Sequence, residues 1–276
     1  MGGFFYNFIP LFFPLLFLKN KTMQNTTLLL ILFFSCFSYH SQAQGGWTIS
    51  YNKNQFSAQD IPASLLEKQQ KLAARPYAQI SCVGLAPDGG WVISYANMAQ
   101  KPVEAYLSWD GPHRDFMAIL QEIKTAGSTI QQITFSPLNS YNKQSWVILY
   151  DNKEASWKNI APSLINKIVE LSRANKQIKS IGLAINGGWV LVAENNEVFW
   201  ELIPEKMITK IKVLQNSNKL IQQVAFNLDN GWVLLYDKNE ATWDKIPAPL
   251  IQQIESLQNQ DATINGLNFY TIKGKL

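Results

Sequence analysis

Gly231-Trp232-Val233-Leu234-Leu235-Tyr236 is the stretch from which the rest of this chain can be read. Asp229-Asn230-Gly231 marks a turn, because Asn-Gly readily takes the positive φ values of a tight hairpin. Ile221–Phe226, ahead of that turn, reads as a short strand. Trp232–Tyr236 reads as a second strand, apolar on both faces as expected where both sides are covered. Asp237-Lys238-Asn239 turns the chain again, and residues 240–243 supply a third strand. Ile246-Pro247 then opens a helix, since proline suits helix starts and breaks strand ladders. Leu250, Ile251, Ile254 and Leu257 share one helical face. The unit is β-β-β-α.

The unit recurs along the chain. Tryptophans at the head of the second strand stand at 47, 91, 146, 189 and 232, spaced 44, 55, 43 and 43 residues apart. Third-strand tryptophans stand at 109, 157, 200 and 243, with Ala58 in the remaining copy, and the two columns use all nine tryptophans of the chain. Tyr51, Tyr95, Tyr150 and Tyr236 repeat four residues past the lead tryptophan, with Ala193 as the exception. Helix positions repeat as Leu65, Phe116, Leu164, Met207 and Leu250, and the ends of the first strands as Leu85, Phe135, Leu183, Phe226 and Phe269. A fixed period of this length signals a repeat array.

Unit two, counted by its lead tryptophan, is irregular. Tyr95 precedes Phe116 by 21 residues, whereas Tyr236 precedes Leu250 by 14, which places an extra seven residues around 97–103. A five-residue excess between Phe135 and Trp146 enlarges the following hairpin, 136–145. Repeat arrays accept such loop insertions and often carry function on them.

The two ends of the array are complementary. Gly45-Gly46-Trp47 starts inside a unit, and residues 264–269 supply a first strand that no second strand follows. Pairing the two would complete a fifth unit and remove two unpaired sheet edges, which natural proteins avoid. The expected architecture is therefore β-rich with short helices: a closed five-bladed β-propeller-like ring of β-β-β-α repeats, one repeat split between the termini. Residues 44–276 would form this one domain.

Residues 1–43 lie outside the pattern. Residues 28–37 form an apolar core, and Ser41-Gln42-Ala43 places small residues where signal peptidase cleaves, so 1–43 reads as a signal peptide with Met23 as an alternative start. Residues 4–18 are apolar but short for a span and interrupted by Pro10 and Pro14. Removing 1–43 takes out Lys19, Lys21 and no acid, lowering the net charge from +4 to +2. That balance gives no electrostatic footprint for nucleic acid, and no membrane span is expected in the mature chain. Cys82 is the one cysteine left, in a strand setting that favours a buried apolar role. His113 is the one histidine left, which excludes zinc-finger and histidine-rich metal sites; no cofactor is implied. The expected location is secreted, periplasmic or cell-surface.

The pattern Gly-Gly-Trp-Val-x-Leu-Tyr followed by Ile-Pro-x-x-Leu, covering residues 45–269, resembles uncharacterised repeats of secreted bacterial proteins. The blade count is also similar to tachylectin-type lectin propellers, whose sugar-binding motifs are not reproduced here. The β-β-β-α order resembles a circular permutation of the pentein module. Pentein enzymes use a cysteine nucleophile with histidine and acidic partners; Cys82 and His113 are the mature candidates, and neither lies in a matching motif.

Two residue sets could carry function. The inter-strand turns repeat Asn and Asp, among them Asn54, Asp151, Asn195 and Asp237, which could hydrogen-bond sugar hydroxyls or serve the turns themselves. Asp110-Gly111-Pro112-His113-Arg114-Asp115 gathers the mature histidine with Asp110 and Arg114, where acid–base chemistry is conceivable but Asp at a helix start is also ordinary capping. No nucleophile elbow is present. The leading reading is a non-enzymatic binding module that presents repeated loops to a glycan or an envelope or extracellular protein. The alternatives are an enzyme centred near His113 and a purely structural scaffold.

Overall fold

A computed structural model describes residues 45–99, 104–111, 114–136 and 144–270. These belong to one compact unit, Ala43–Leu276. The expected leader 1–43, residues 100–103 of the unit-two insertion, Pro112, His113 and residues 137–143 of the enlarged hairpin lie outside the described residues.

Five units follow one another. Strands β1 (Gly46–Tyr51) and β2 (Gln55–Gln59) lead to helix α1 (Ala63–Ala73). Strands β3 (Ala78–Leu85), β4 (Trp91–Asn97) and β5 (Glu104–Asp110) lead to α2 (Arg114–Thr125). Strands β6 (Ile130–Phe135), β7 (Trp146–Tyr150) and β8 (Glu154–Lys158) lead to α3 (Pro162–Arg173). Strands β9 (Ile178–Leu183), β10 (Trp189–Ala193) and β11 (Val198–Glu201) lead to α4 (Glu205–Asn216). Strands β12 (Ile221–Phe226), β13 (Trp232–Tyr236) and β14 (Glu240–Asp244) lead to α5 (Ala248–Asn259), and β15 (Ile264–Tyr270) follows. The fold is β-rich, with five short helices and five three-stranded antiparallel sheets.

Every sheet has the lead-tryptophan strand in its middle. The split unit is completed by β15, which pairs with β1 in the order β15-β1-β2, setting Trp47 opposite Phe269 and Ile49 opposite Leu267. In each of the five first strands the ladder skips one residue (Ser81, Gln131, Lys179, Gln222 and Asn265), a bulge at the same repeat position. A bulge re-aims the side chains around it. Here the next residue reaches into the following unit. Gln132 Oε1 accepts the Ile181 N–H at 2.8 Å, Ser180 Oγ accepts the Val224 N–H at 3.2 Å, and Gln223 Oε1 accepts the Leu267 N–H at 2.9 Å. Cys82 occupies this column in β3. Gly266 occupies it in β15 and has no side chain to offer. One step further on, Gly84 and Gly182 bring neighbours close: a Cβ at Gly182 would lie 2.7 Å from Val224 Cγ1.

Proline sets where the helices begin. Pro62, Pro204 and Pro247 stand just ahead of α1, α4 and α5 at φ of −53°, −58° and −58°, values the pyrrolidine ring imposes at no cost. Helices of about 12 residues are marginal alone in water, so packing must hold them. Each buries one stripe at i, i+4 and i+7, such as Leu164, Ile168 and Leu171 of α3. That stripe fills the gap between two successive sheets. Around α3 the core combines Val147 and Leu149 of β7 with Ile181, Leu183, Trp189 and Leu191 of the next sheet. Around α5 it combines Val233 and Leu235 of β13 with Trp47, Ile49 and Leu267 of the split sheet. All five lead tryptophans are at most 5% exposed. One junction departs from the apolar rule. In α1, Gln69 takes the middle place of the stripe and donates from Nε2 to Thr48 Oγ1 of β1 at 3.0 Å, both residues being buried.

The first strands also touch in sequence: β3 lies against β6, β6 against β9, β9 against β12, β12 against β15, and β15 against β3. Residues of all five, including Leu85, Phe135, Leu183, Phe226 and Phe269, line a single cavity of about 20 Å³.

The Gly266 position tests the inter-unit hydrogen bonds. A Cβ there would meet Ser50 Oγ at 3.4 Å and Gln223 Oε1 at 3.6 Å, ordinary contact distances. Gly266→Ser is expected to stabilise the fold by about 1 kcal/mol, combining restricted unfolded backbone with one added hydrogen bond. A chemical denaturation midpoint that falls would contradict this account of the column.

Candidate functional site

The repeated turn residues hold the chain to itself. Asp151 Oδ1 accepts the Thr129 N–H at 2.8 Å, and Asp237 Oδ1 accepts the Leu220 N–H at 2.9 Å, each tying a second-strand turn to the start of its own unit's first strand. The split unit uses Asn52 in the same way, its Oδ1 accepting the Thr263 N–H at 3.2 Å. Asp151, Asn195 and Asp237 have φ of 50°, 56° and 51°, the left-handed region that Asn and Asp tolerate best after glycine. Asn54 Nδ2 donates to the Ala73 and Arg75 carbonyls at 3.1 and 3.0 Å, fixing the end of α1. Asp237 also accepts from Lys219 Nζ at 2.8 Å, and that bond, followed by the Leu220 N–H, holds its carboxyl below the usual range.

Asp110 is likewise engaged. Its Oδ2 accepts from Ser64 Oγ at 2.8 Å, and Ser64 Oγ accepts the Trp91 indole N–H at 2.9 Å. The same trio recurs as Glu201, Ser163 and Trp189, with the Trp189 indole N–H donating to Ser163 Oγ at 3.1 Å. In the helices packed on Trp47 and Trp232 the position matching Ser64 and Ser163 is Pro249 and Lys206, and the two indole nitrogens have no partner. Arg114 is the exposed first residue of α2. His113 lies outside the described residues.

Unit two departs from the repeat at the other end of its sheet, and there a pocket forms. Eight residues separate Leu72 from Ile80, whereas seven separate each matching pair, such as Leu171 and Ile178. The longer exit from α1 carries Arg75-Pro76-Tyr77. Where Tyr77 stands, the other units have Gly127, Asn175, Asn218 and Asp261, all at positive φ. Strands β3 and β4 also run longer than their counterparts, pairing Ala78 with Asn97. Opposite Tyr95 stands Tyr106, where the matching tyrosines face Gln55, Glu154 and Glu240. The rings of Tyr95 and Tyr106 stack at 5.5 Å, and Lys68 Nζ lies 4.9 Å from the Tyr95 centroid on α1.

Arg75, Pro76, Tyr77, Tyr95, Asn97 and Tyr106 line most of a pocket of about 450 Å³. That volume and apolar lining match small-molecule sites. Tyr77 is 60% exposed at its rim. Asn54 stands next to the pocket through its bond to the Arg75 carbonyl. Asp110 and Arg114 do not belong to it: Tyr106 and Asp110 are four residues apart along β5, about 13 Å at strand rise. Arg75, Tyr77 and Tyr106 escaped the sequence reading, although the loss of Asn/Asp/Gly at 77 and of Glu/Gln at 106 could have flagged two of them.

Burial pushes the Cys82 thiol up to about 12, away from the thiolate form that attacks. Among the described residues no three His, Cys, Asp or Glu side chains gather into a possible metal site, and no helix is long and apolar enough to cross a membrane.

The Asp237–Lys219 pair yields a pH dependence. A carboxyl held low in the fold stabilises it above the ordinary carboxylate pKa, and that contribution fades as pH falls through the folded value. Asp237→Asn is expected to lower the denaturation midpoint slightly at pH 7, with the difference from the parent shrinking towards pH 3. An equal difference at both pH values would contradict this.

No family model matches the chain, and neither a curated protein nor a solved structure matches it.

Proposed function

We propose that this chain is a secreted or envelope-associated, non-enzymatic binding module. Its five units close into a propeller-like ring, and it binds a glycan, or a protein presenting one, through the tyrosine pocket of unit two. The pocket is the observation that carries the reading. Asn97 and Ala99 at the start of the inserted stretch, a rebuilt helix exit and a Tyr–Tyr pair all depart from the repeat, and together they line one concavity. Departures of this kind from a self-consistent repeat mark where function is grafted. Stacked phenols next to an asparagine and an arginine suit a ligand with apolar faces and polar edges. Of the repeated turn residues Asn54 contributes, through its bond to the Arg75 carbonyl, while Asp151 and Asp237 serve the turns of their own units and Asn195 holds a left-handed turn position. Residues 1–43 support export as a signal peptide.

Ring closure is supported by the order of first-strand neighbours, which ends with β15 against β3, and by the 20 Å³ cavity that all five line. A space that size holds a single water at most.

Two experiments follow. Deleting residues 261–276 removes Ile264, Leu267 and Phe269, each worth up to roughly 1.5–3 kcal/mol, and exposes the β1 edge to aggregation. The truncated chain is expected to melt far lower or precipitate; a soluble chain with an unchanged melting temperature would favour an open array, whose terminal strand frays alone. For binding, the protein is probed on a glycan array beside Tyr77→Ala, a change at an exposed residue that leaves the fold intact. Signals that Tyr77→Ala abolishes are the expected result. A silent array, or signals unaffected by the substitution, removes the pocket from the function.

A further inference from the structure

We infer that the unit-two pocket takes a pyranose bearing a carboxylate, a uronic acid unit of an acidic polysaccharide, with its carboxylate at Arg75. This rests on the binding reading above and names the ligand class for that site.

The wall chemistry selects a sugar ring. Tyr77, Tyr95 and Tyr106 supply flat apolar area with a hydroxyl on each ring, while Pro76, Ala78, Ala96 and Ala99 add aliphatic surface. Asn97 adds an amide, its Oδ1 accepting the Ala99 N–H at 3.1 Å. The wall thus combines flat apolar rings with polar edges, and Lys68 Nζ already donates to the Tyr95 hydroxyl at 3.5 Å. A pyranose matches them, with C–H faces against aromatic rings and hydroxyls at the edges.

The charge selects an acid. Arg75 is the one charged residue among those described lining the pocket. Among the described residues no acid pairs with it. Lys68 places a second cation behind the Tyr95 ring. The repeat would set a Glu or Gln where Tyr106 stands, and Glu154 and Glu240 occupy that place in two other units. Unit two thus has a tyrosine in place of the carboxylate at that register position, and its own acid, Glu104, stands two residues earlier, opposite Asn97. A guanidinium presents a planar pair of donors that fits a carboxylate at two points.

The backbone holds Arg75 in place for this. Its N–H donates to the Leu72 carbonyl at 3.0 Å, and its carbonyl accepts from the Ala78 N–H at 3.1 Å as well as from Asn54. Pro76 further restricts its conformation from the following position. Asn54 is therefore a positioning residue for Arg75.

The test compares methyl glucuronide with methyl glucoside, which share a ring and differ at the carboxylate, by calorimetric titration of the purified full chain. The glucuronide is expected to bind at least about tenfold more tightly, as a charge-assisted pair desolvated at a rim allows. Arg75→Gln should erase that preference while leaving weak binding of both. Tyr77→Ala should weaken both together, with an unchanged denaturation midpoint in Arg75→Gln and Tyr77→Ala confirming an intact pocket; Asn54→Ala should reduce the preference in part and lower the midpoint, because it loses two hydrogen bonds to the end of α1. Equal binding of the two glycosides, or a preference that survives Arg75→Gln, overturns the carboxylate assignment. If neither glycoside binds while array signals lost in Tyr77→Ala come from neutral sugars, the inference falls and the binding module stands. If an aromatic dipeptide binds and no sugar does, both the sugar class and the glycan reading fall.

Discussion

No unit of this protein owns a complete core, and the rest of the structure depends on that constraint. Each helix buries one narrow stripe, and the stripe is covered only when the next unit's first and second strands close over it. Leu164, Ile168 and Leu171 belong to one unit, but their partners Ile181, Leu183 and Trp189 belong to the next. The lead tryptophans serve the same purpose from the other side, each filling the space beneath the helix of the unit before. Hydrophobic burial of this sort is non-directional, so it favours stacking without fixing register. The bulge in the first strand adds direction by sending a side chain across to a single backbone N–H of the neighbour.

Repetition creates a risk that one helix docks in another's place. The Thr48–Gln69 bond answers it at one junction. Elsewhere the matching positions are apolar, as Val147 and Ile168 are, so exchanging α1 for another helix would bury an amide or a hydroxyl without its partner. An unpaired buried polar group costs about 1–3 kcal/mol, enough to bias docking in a fold assembled from near-equivalent parts. That junction is also where α1 meets the sheet shared by β1 and β15.

The polar turns explain why regular positions make poor functional candidates here. Asp151 and Asp237 spend their carboxylates on backbone N–H groups, and their left-handed φ shows that the turn dictates the residue type. A repeat position is committed to its structural duty in every copy. Unit two gains freedom by lengthening: once the hairpin and the α1 exit extend past the common end of the sheets, Tyr77 and Tyr106 no longer answer to the repeat, and they meet Tyr95, which does.

The sequence alone determined the unit and its count. The order β-β-β-α, the five lead tryptophans and the completion of the split unit by residues 264–269 all follow from local periodicity and turn chemistry, which depend on neighbours in the chain. Second and third strands such as Trp232–Tyr236 could be placed almost to the residue, because Asn-Gly and Ile-Pro bound them. Only the tertiary structure decided what the polar residues do. That Asp237 accepts from Leu220, and Asp110 from Ser64, depended on segments 17 and 46 residues away in the chain. The tyrosine pocket was hidden for the same reason: its walls come from three separated stretches, and stacking of Tyr106 on Tyr95 exists only once antiparallel pairing sets those residues opposite each other.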